Sequence, residues 1–155
     1  MRIDKYAFIK VGEQDEFVER TFKGFCEVIP QSQVDTFLMA DPFSVPTLAR
    51  DLAKTGYYHA IVVSMMILED INFRQDHIAD AVTSGLVRVG LDTDSLVLPI
   101  VLLPRNGQEA TWQHDDFCDY FLAKGRATAS AALKDSKLMS SLPFPKNVVG
   151  WLWPM

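Results

Sequence analysis

The sequence predicts a single α/β domain in which a four-stranded parallel sheet is sandwiched by helices. Four apolar runs, at residues 5–11, 34–39, 60–66 and 96–103, alternate with segments of helical periodicity. This order is typical of parallel strands joined by right-handed crossovers. The last two runs are apolar on both faces, as the strands of a covered parallel sheet are.

The first two helices are predicted from their boundary signals. Asp15 is expected to be the N-cap of a helix that reaches Val28. Its apolar stripe contains Phe17, Val18, Phe22 and Phe25. Pro46 is expected to open a second helix, which ends near Thr55 and Gly56 because glycine is the preferred residue after a helix end.

The third and fourth helices follow from apolar spacing. The third is predicted over residues 76–89, with one face formed by Ile78, Val82, Leu86 and Val89. The fourth is predicted over 111–133, and Gly125 is expected to bend or divide it. Pro99 lies inside the fourth strand, which predicts an edge position or a strand start there because proline has no N–H to donate.

Length and charge limit the class of protein. The 155 residues fit one domain, expected at 1–142, followed by a tail at 143–155 that is rich in Pro and Trp. The tail is expected to strap an apolar patch on this subunit or a neighbour, with a ligand lid or a partner anchor as the alternative. A net charge of −5 argues against a nucleic-acid partner. No run approaches the ~18 apolar residues of a membrane span.

The expected compartment is the cytoplasm. The N-terminus lacks the apolar core and cleavage site of a signal peptide. The two cysteines, Cys26 and Cys118, form no C-x-x-C pair and are expected to be reduced, partly buried thiols.

Ligand chemistry is expected in the loop after the third strand, because ligands of open α/β sheets sit at the carboxyl ends of the strands. This loop holds two adjacent acids, Glu69 and Asp70, and its only cation is Arg74. No histidine has metal-ligand spacing, Ser44 is not in a G-x-S-x-G elbow, and no G-x-G-x-x-G motif occurs. A metal site, a serine hydrolase and a dinucleotide site are therefore not expected.

Several strings resemble the lumazine synthase family over roughly residues 5 to 142. They are DPFSVPTLARDLAKTGYYHAIV, FRQDHIADAVTSGLVRVGLDTDSLVLPIVLLP and AKGRATASAALK. The stretch QHDDFCDYFLAKG and the LLP ending of the fourth strand look closer to the decameric type II branch.

The resemblance implies a flavodoxin-like fold and the condensation of a ribitylaminopyrimidinedione with dihydroxybutanone phosphate, without a metal or redox cofactor. It also implies a homo-oligomer, as a pentameric ring that can be doubled to a decamer or built into a larger shell. The sites would lie between adjacent subunits and take a pyrimidine, lumazine or flavin ligand.

The resemblance places the family's functional positions on altered residues. The aromatic that stacks on the pyrimidine falls on Glu13, and the ribityl-binding Glu falls on Ser44. The phosphate-binding Gly-rich loop reads Asp70-Ile71-Asn72. The proton-transferring His falls on Arg74, next to Gln75. The late Lys is retained as Lys124, and His77 is a weaker candidate acid–base. Further expected ligand contacts are Phe43, Ile67, Glu69, Leu103 and His114.

These residues predict altered chemistry. Glu69 and Asp70 oppose a phosphate at a helix N-terminus, where positive potential favours anions. Arg74 cannot shuttle protons, because its pKa exceeds ~12. Three functions stay open: a lumazine synthase with impaired catalysis, a non-catalytic binding or assembly homologue, and an enzyme whose cationic or amine-bearing ligand the acids would attract.

Overall fold

A parallel four-stranded sheet forms the centre of the computed structural model, which describes residues 4–12, 15–67, 74–103 and 114–143. The strands are β1 (Tyr6–Val11), β2 (Val34–Met39), β3 (Ala60–Met66) and β4 (Val97–Leu102). Their spatial order is β2-β1-β3-β4, and all three pairings are parallel. The predicted fold class is confirmed, and each strand lies within one residue of its predicted bounds.

Four α-helices are present in the described residues. They are α1 (Glu16–Val28), α2 (Val45–Lys54), α3 (Gln75–Thr93) and α4 (His114–Ser140). Single 3₁₀ turns precede β2 and α2, at Gln31–Gln33 and Pro42–Ser44. The helices α3 and α4 both extend beyond their predicted ends. None of the helices in these described segments has the length and apolarity needed to cross a membrane.

The start of α1 and the end of α2 follow the predicted local signals. The Asp15 carboxylate accepts hydrogen bonds from the backbone N–H groups of Phe17 and Val18, at 2.8 and 3.1 Å. Such a cap satisfies donors that the first helical turn leaves unpaired. Gly56 follows α2 with a φ of 65°, the left-handed conformation that glycine adopts without strain.

The sheet buries a separate core on each face. Alternate side chains of β1 point to opposite sides: Ala7, Ile9 and Val11 pack under α2 and α3, and Tyr6 and Phe8 pack under α1 and α4. The predicted stripe of α3, from Ile78 to Val89, is buried in the first core. Pro99 lies on β4, an edge strand, as predicted.

Gly125 does not divide α4, so the expectation of an interruption there was wrong. The helix runs unbroken from His114 to Ser140. A Cβ at Gly125 would fall on the carbonyl oxygen of Thr21, and one at Gly24 would fall on that of Leu122. The two glycines therefore let α1 and α4 approach backbone to backbone. Tertiary packing explains the residue that looked like a helix interruption.

A partly buried phenol hydrogen bond stabilises the amino-terminal edge of the sheet. The Tyr58 hydroxyl donates to Asp35 Oδ2 at 2.9 Å, and Lys5 Nζ contacts Asp35 Oδ1 at 3.3 Å. Burial, with a further contribution from Asp35, raises the pKa of Tyr58 to about 12 from an ordinary value of 10.0. The folded chain therefore holds this proton more tightly than the unfolded chain does.

Gly125→Ala should destabilise the protein, although the same change in an open helix is stabilising by about 1 kcal/mol. Forcing a methyl group into the α1–α4 contact should lower the free energy of unfolding by about 2 kcal/mol or more. Thermal unfolding at matched protein concentration measures this, with Ala123→Ser, an exposed α4 substitution, as the control. An unchanged or raised midpoint for Gly125→Ala would contradict the packing described.

Tyr58→Phe should alter the alkaline stability profile. Between about pH 10 and the folded pKa of about 12, the unfolded chain ionises Tyr58 while the folded chain does not, so folding stability falls as pH rises. Below this window Tyr58 adds no pH dependence. The decline in folding stability with rising pH should be smaller in Tyr58→Phe than in the parent. It should match the parent's in Tyr120→Phe, which removes an exposed phenol. Equal slopes in all three proteins would show that the Tyr58 pKa is not raised.

Candidate functional site

The four strands end at one edge of the sheet, where the connections to the helices begin. Two backbone hydrogen bonds continue the ladder beyond the strands. Gly12 N–H donates to Met39 O at 2.9 Å, and Ile67 N–H donates to Leu102 O at 3.0 Å. Gly12 has a φ of 99°, so the chain leaves β1 in a conformation that favours glycine. These two bonds thus hold the residues that follow β1 and β3 against the neighbouring strands.

An aspartate cap orders the connection after β2. The Asp41 carboxylate accepts from Phe43 N–H at 3.0 Å and from Ser44 Oγ at 3.4 Å. The cap holds the 3₁₀ turn that precedes α2 and leaves the Phe43 residue 49% exposed. Phe43 and Ser44 therefore lie where their sequence positions predicted, beside the carboxyl edge of the sheet.

The connection after β3 is anchored on both sides of its loop. Ile67 is 3% exposed. Its carbonyl accepts a hydrogen bond from Gln75 Nε2 at 3.2 Å. Gln75 is the first residue of α3, and Arg74 precedes it as an extended N-cap whose side chain makes no capping hydrogen bond. A hydrogen bond from the Gln75 side chain thus connects the start of α3 to the end of β3, and the Arg74 side chain does not cap the helix.

The charged groups at the start of α3 lie in solvent. Arg74 Nε is 3.5 Å from Asp76 Oδ1, and the Arg74 side chain is 77% exposed. The same Asp76 oxygen accepts from His77 N–H at 3.1 Å. An exposed pair of this length contributes little to stability, with a typical range of about 0–1 kcal/mol. Arg74 can therefore leave Asp76 for a bound anion at small cost.

Lys124 belongs to a helix on the other side of the sheet. Phe121, one turn before Lys124, packs in the core under α1 and α4, whereas α3 belongs to the opposite core. Lys124 is exposed on α4. It lies ten residues, or about 15 Å of helix, beyond His114, the first helical residue. Arg74 and Lys124 of one chain therefore do not face a common ligand.

Several expected site residues lie outside the described part of the chain. They are Glu13, Glu69, Asp70, Ile71 and Asn72, and the segment 144–155 of the predicted tail lies outside it too. The acids on which the expectation of anion repulsion rests are among them. Leu103 follows β4 at the same edge as Ile67 and is partly exposed.

Sequence reasoning missed the structural roles of two residues. Asp41 was not considered, although an Asp immediately before a Pro is a readable signal for the start of a helical turn. Gln75 was expected to bind a substrate, whereas its amide donates to a backbone carbonyl of its own chain. No sequence pattern predicts that hydrogen bond, because it depends on the position of the end of β3 relative to the start of α3.

The described edge, with strand ends, a capped turn and a helix N-terminus together, is typical of ligand-binding α/β proteins. A family model described as 6,7-dimethyl-8-ribityllumazine synthase matches residues 8–140. The chain therefore belongs to the 6,7-dimethyl-8-ribityllumazine synthase family, as its motifs suggested.

Curated relatives support this membership. A 6,7-dimethyl-8-ribityllumazine synthase of Rhodococcus erythropolis is 37% identical over 144 residues, covering 90% of this chain and 93% of the relative. Proteins named 6,7-dimethyl-8-ribityllumazine synthase 2 are similar too. That of Pseudomonas syringae pv. tomato is 29% identical over 90% of this chain and 85% of the relative. That of Bradyrhizobium diazoefficiens is 31% identical over 82% of this chain and 79% of the relative.

Proposed function

We propose that this chain condenses 5-amino-6-ribitylaminopyrimidinedione with 3,4-dihydroxybutanone 4-phosphate, with a slow proton-transfer step. The observation that carries this proposal is the family match over residues 8–140, which spans nearly every element from β1 to the end of α4. The family resemblance assigns the proton-transferring position to Arg74, at the start of α3. Arg74 at this position is therefore expected to affect substrate binding and the proton-transfer step differently.

Approximation of the two reactants can supply much of the acceleration. Holding two reactants in a reactive geometry can lower a barrier by roughly 7–11 kcal/mol without any acid or base. A positioned general acid–base typically adds about 10²- to 10⁴-fold. Arg74 keeps its proton at neutral pH and cannot provide this second contribution. The expected enzyme is slow but faster than the uncatalysed condensation.

Arg74 is proposed to contact the phosphate of the butanone substrate. Its side chain is exposed, its partner Asp76 is 3.5 Å away, and it stands at a helix N-terminus, where the backbone dipole favours anions. The carboxylates of Glu69 and Asp70 would weaken this affinity, since they precede Arg74 in the same connection. A high KM for the phosphate substrate is the expected consequence.

A ring of copies is proposed as the assembly, as a pentamer or a decamer of the type II kind. Two apolar residues on α3, Val87 and Leu91, are 60% and 75% exposed in the single chain. Exposed apolar surface of this kind marks protein interfaces when it is contiguous. Lys124 and Arg74, separated by the sheet within one chain, could approach one another between neighbouring copies.

A second candidate function is non-catalytic binding of a lumazine or flavin. The half-exposed ring of Phe43 at the carboxyl edge favours it, because a flat aromatic ligand could stack there without any proton transfer. Tight binding of riboflavin or a lumazine, together with no turnover above the uncatalysed rate, would select this candidate over the synthase.

Arg74→His should raise turnover if the synthase proposal holds. Histidine at this position would restore a group that titrates near neutral pH, and kcat should rise at least tenfold. Lumazine formation, followed by its absorbance, measures the effect, with Arg74→Lys as a control that keeps the charge. A parent rate equal to the uncatalysed condensation would reject the synthase proposal.

Leu91→Asp combined with Val87→Asp should reduce the mass of the assembly. Two carboxylates on the exposed face of α3, at Val87 and Leu91, would oppose burial of that face between copies. Light scattering should show the parent as a multiple of five chains and the double variant as smaller species. The control is Leu138→Asp, which charges an exposed leucine of α4. A monomeric parent would contradict the ring.

A further inference from the structure

Gln75 bridges the two ends of the β3–α3 connection. Its side-chain Nε2 donates to the carbonyl of Ile67 at 3.2 Å, so the bond spans eight residues of sequence. The bond leaves from the first residue of α3 and arrives immediately after the last residue of β3. It is therefore placed to set the distance between the helix N-terminus and the sheet.

The Ile67 end of this bridge is fixed. The Ile67 side chain is buried in the core under α2 and α3. Its backbone N–H donates to Leu102 O at 3.0 Å, which ties it to β4. The sheet therefore fixes the position of the Ile67 carbonyl, which is the acceptor for the amide of Gln75.

The N-cap does not supply the same constraint. Helices usually begin at a Ser, Thr, Asp or Asn whose side chain accepts from the first turn. Arg74 has no acceptor in its side chain and makes no capping hydrogen bond. Within the described start of α3, Gln75 donates a side-chain hydrogen bond to the end of β3, and Ile78 packs in the core beside it.

We infer that Gln75 is a positioning residue, which holds the first turn of α3 where its backbone N–H groups meet the phosphate of the butanone substrate. The inference rests on the proposed function for the identity of that anion. The amide of Gln75 itself is directed to Ile67, so Gln75 acts through the backbone. It therefore sets the affinity for the phosphate group rather than the rate of the chemical step.

Gln75→Met tests this assignment, because methionine has a similar length but cannot donate a hydrogen bond. Losing one neutral hydrogen bond corresponds to a change of about fivefold. Amide hydrogen exchange at Ile78 and Ala79 should accelerate about fivefold, with no change at Val89 near the end of α3. The matched control, Gln31→Met, alters an exposed glutamine at the opposite edge of the sheet and should leave exchange in α3 unchanged.

Kinetics provide the second readout. Gln75→Met should raise KM for 3,4-dihydroxybutanone 4-phosphate about fivefold, with kcat within twofold of the parent. Gln75→Leu, which is also neutral and has no donor, replaces it if the methionine variant does not fold. Unchanged exchange in the first turn, acceleration along the whole of α3, or faster exchange with unchanged KM would each overturn the assignment. A parent without turnover would reject the proposed function, and the exchange data alone would then decide on Gln75.

Discussion

The buried peptide group of Ile67 joins the sheet to the candidate site. Its N–H donates to Leu102 and its carbonyl accepts from Gln75, so one residue connects β3, β4 and the start of α3. Because the strands are parallel, their carboxyl ends share an edge, and this junction lies where β3 meets the outer strand β4. The geometry of any ligand at the α3 N-terminus depends on this junction.

The fold and the chemistry of this edge are separate properties. The two-sided core and the glycine contact between α1 and α4 maintain the framework without any contribution from the exposed side chain of Arg74. At the edge itself, the family resemblance assigns the position of an acid–base group to Arg74, which is a permanent cation. An enzyme that relies on holding its two reactants together can tolerate a cation at this position. Approximation depends on the framework, whereas proton transfer depends on one side chain.

Local patterns predicted the framework because its determinants are local. Alternation located the strands, apolar stripes located the buried helix faces, and Pro99 indicated an edge strand. Gly125 was misinterpreted because the α1 backbone that contacts it is a hundred residues away in sequence. At the site, the predicted strand ends located Phe43 and Arg74 in the connections that follow β2 and β3, and their roles stay predictions. Local patterns could not reveal that Gln75 turns back to Ile67, or that Lys124 lies across the sheet from Arg74.

The pH dependence of kcat, expressed at each pH as the ratio of enzymatic to uncatalysed rate, tests the central claim most directly. If approximation carries the reaction and no group of the chain transfers the proton, this ratio stays constant from about pH 5.5 to 8, across the range in which histidine titrates. An inflection near pH 6.5 would show that a histidine-like group acts in the chemical step. That result would contradict the account.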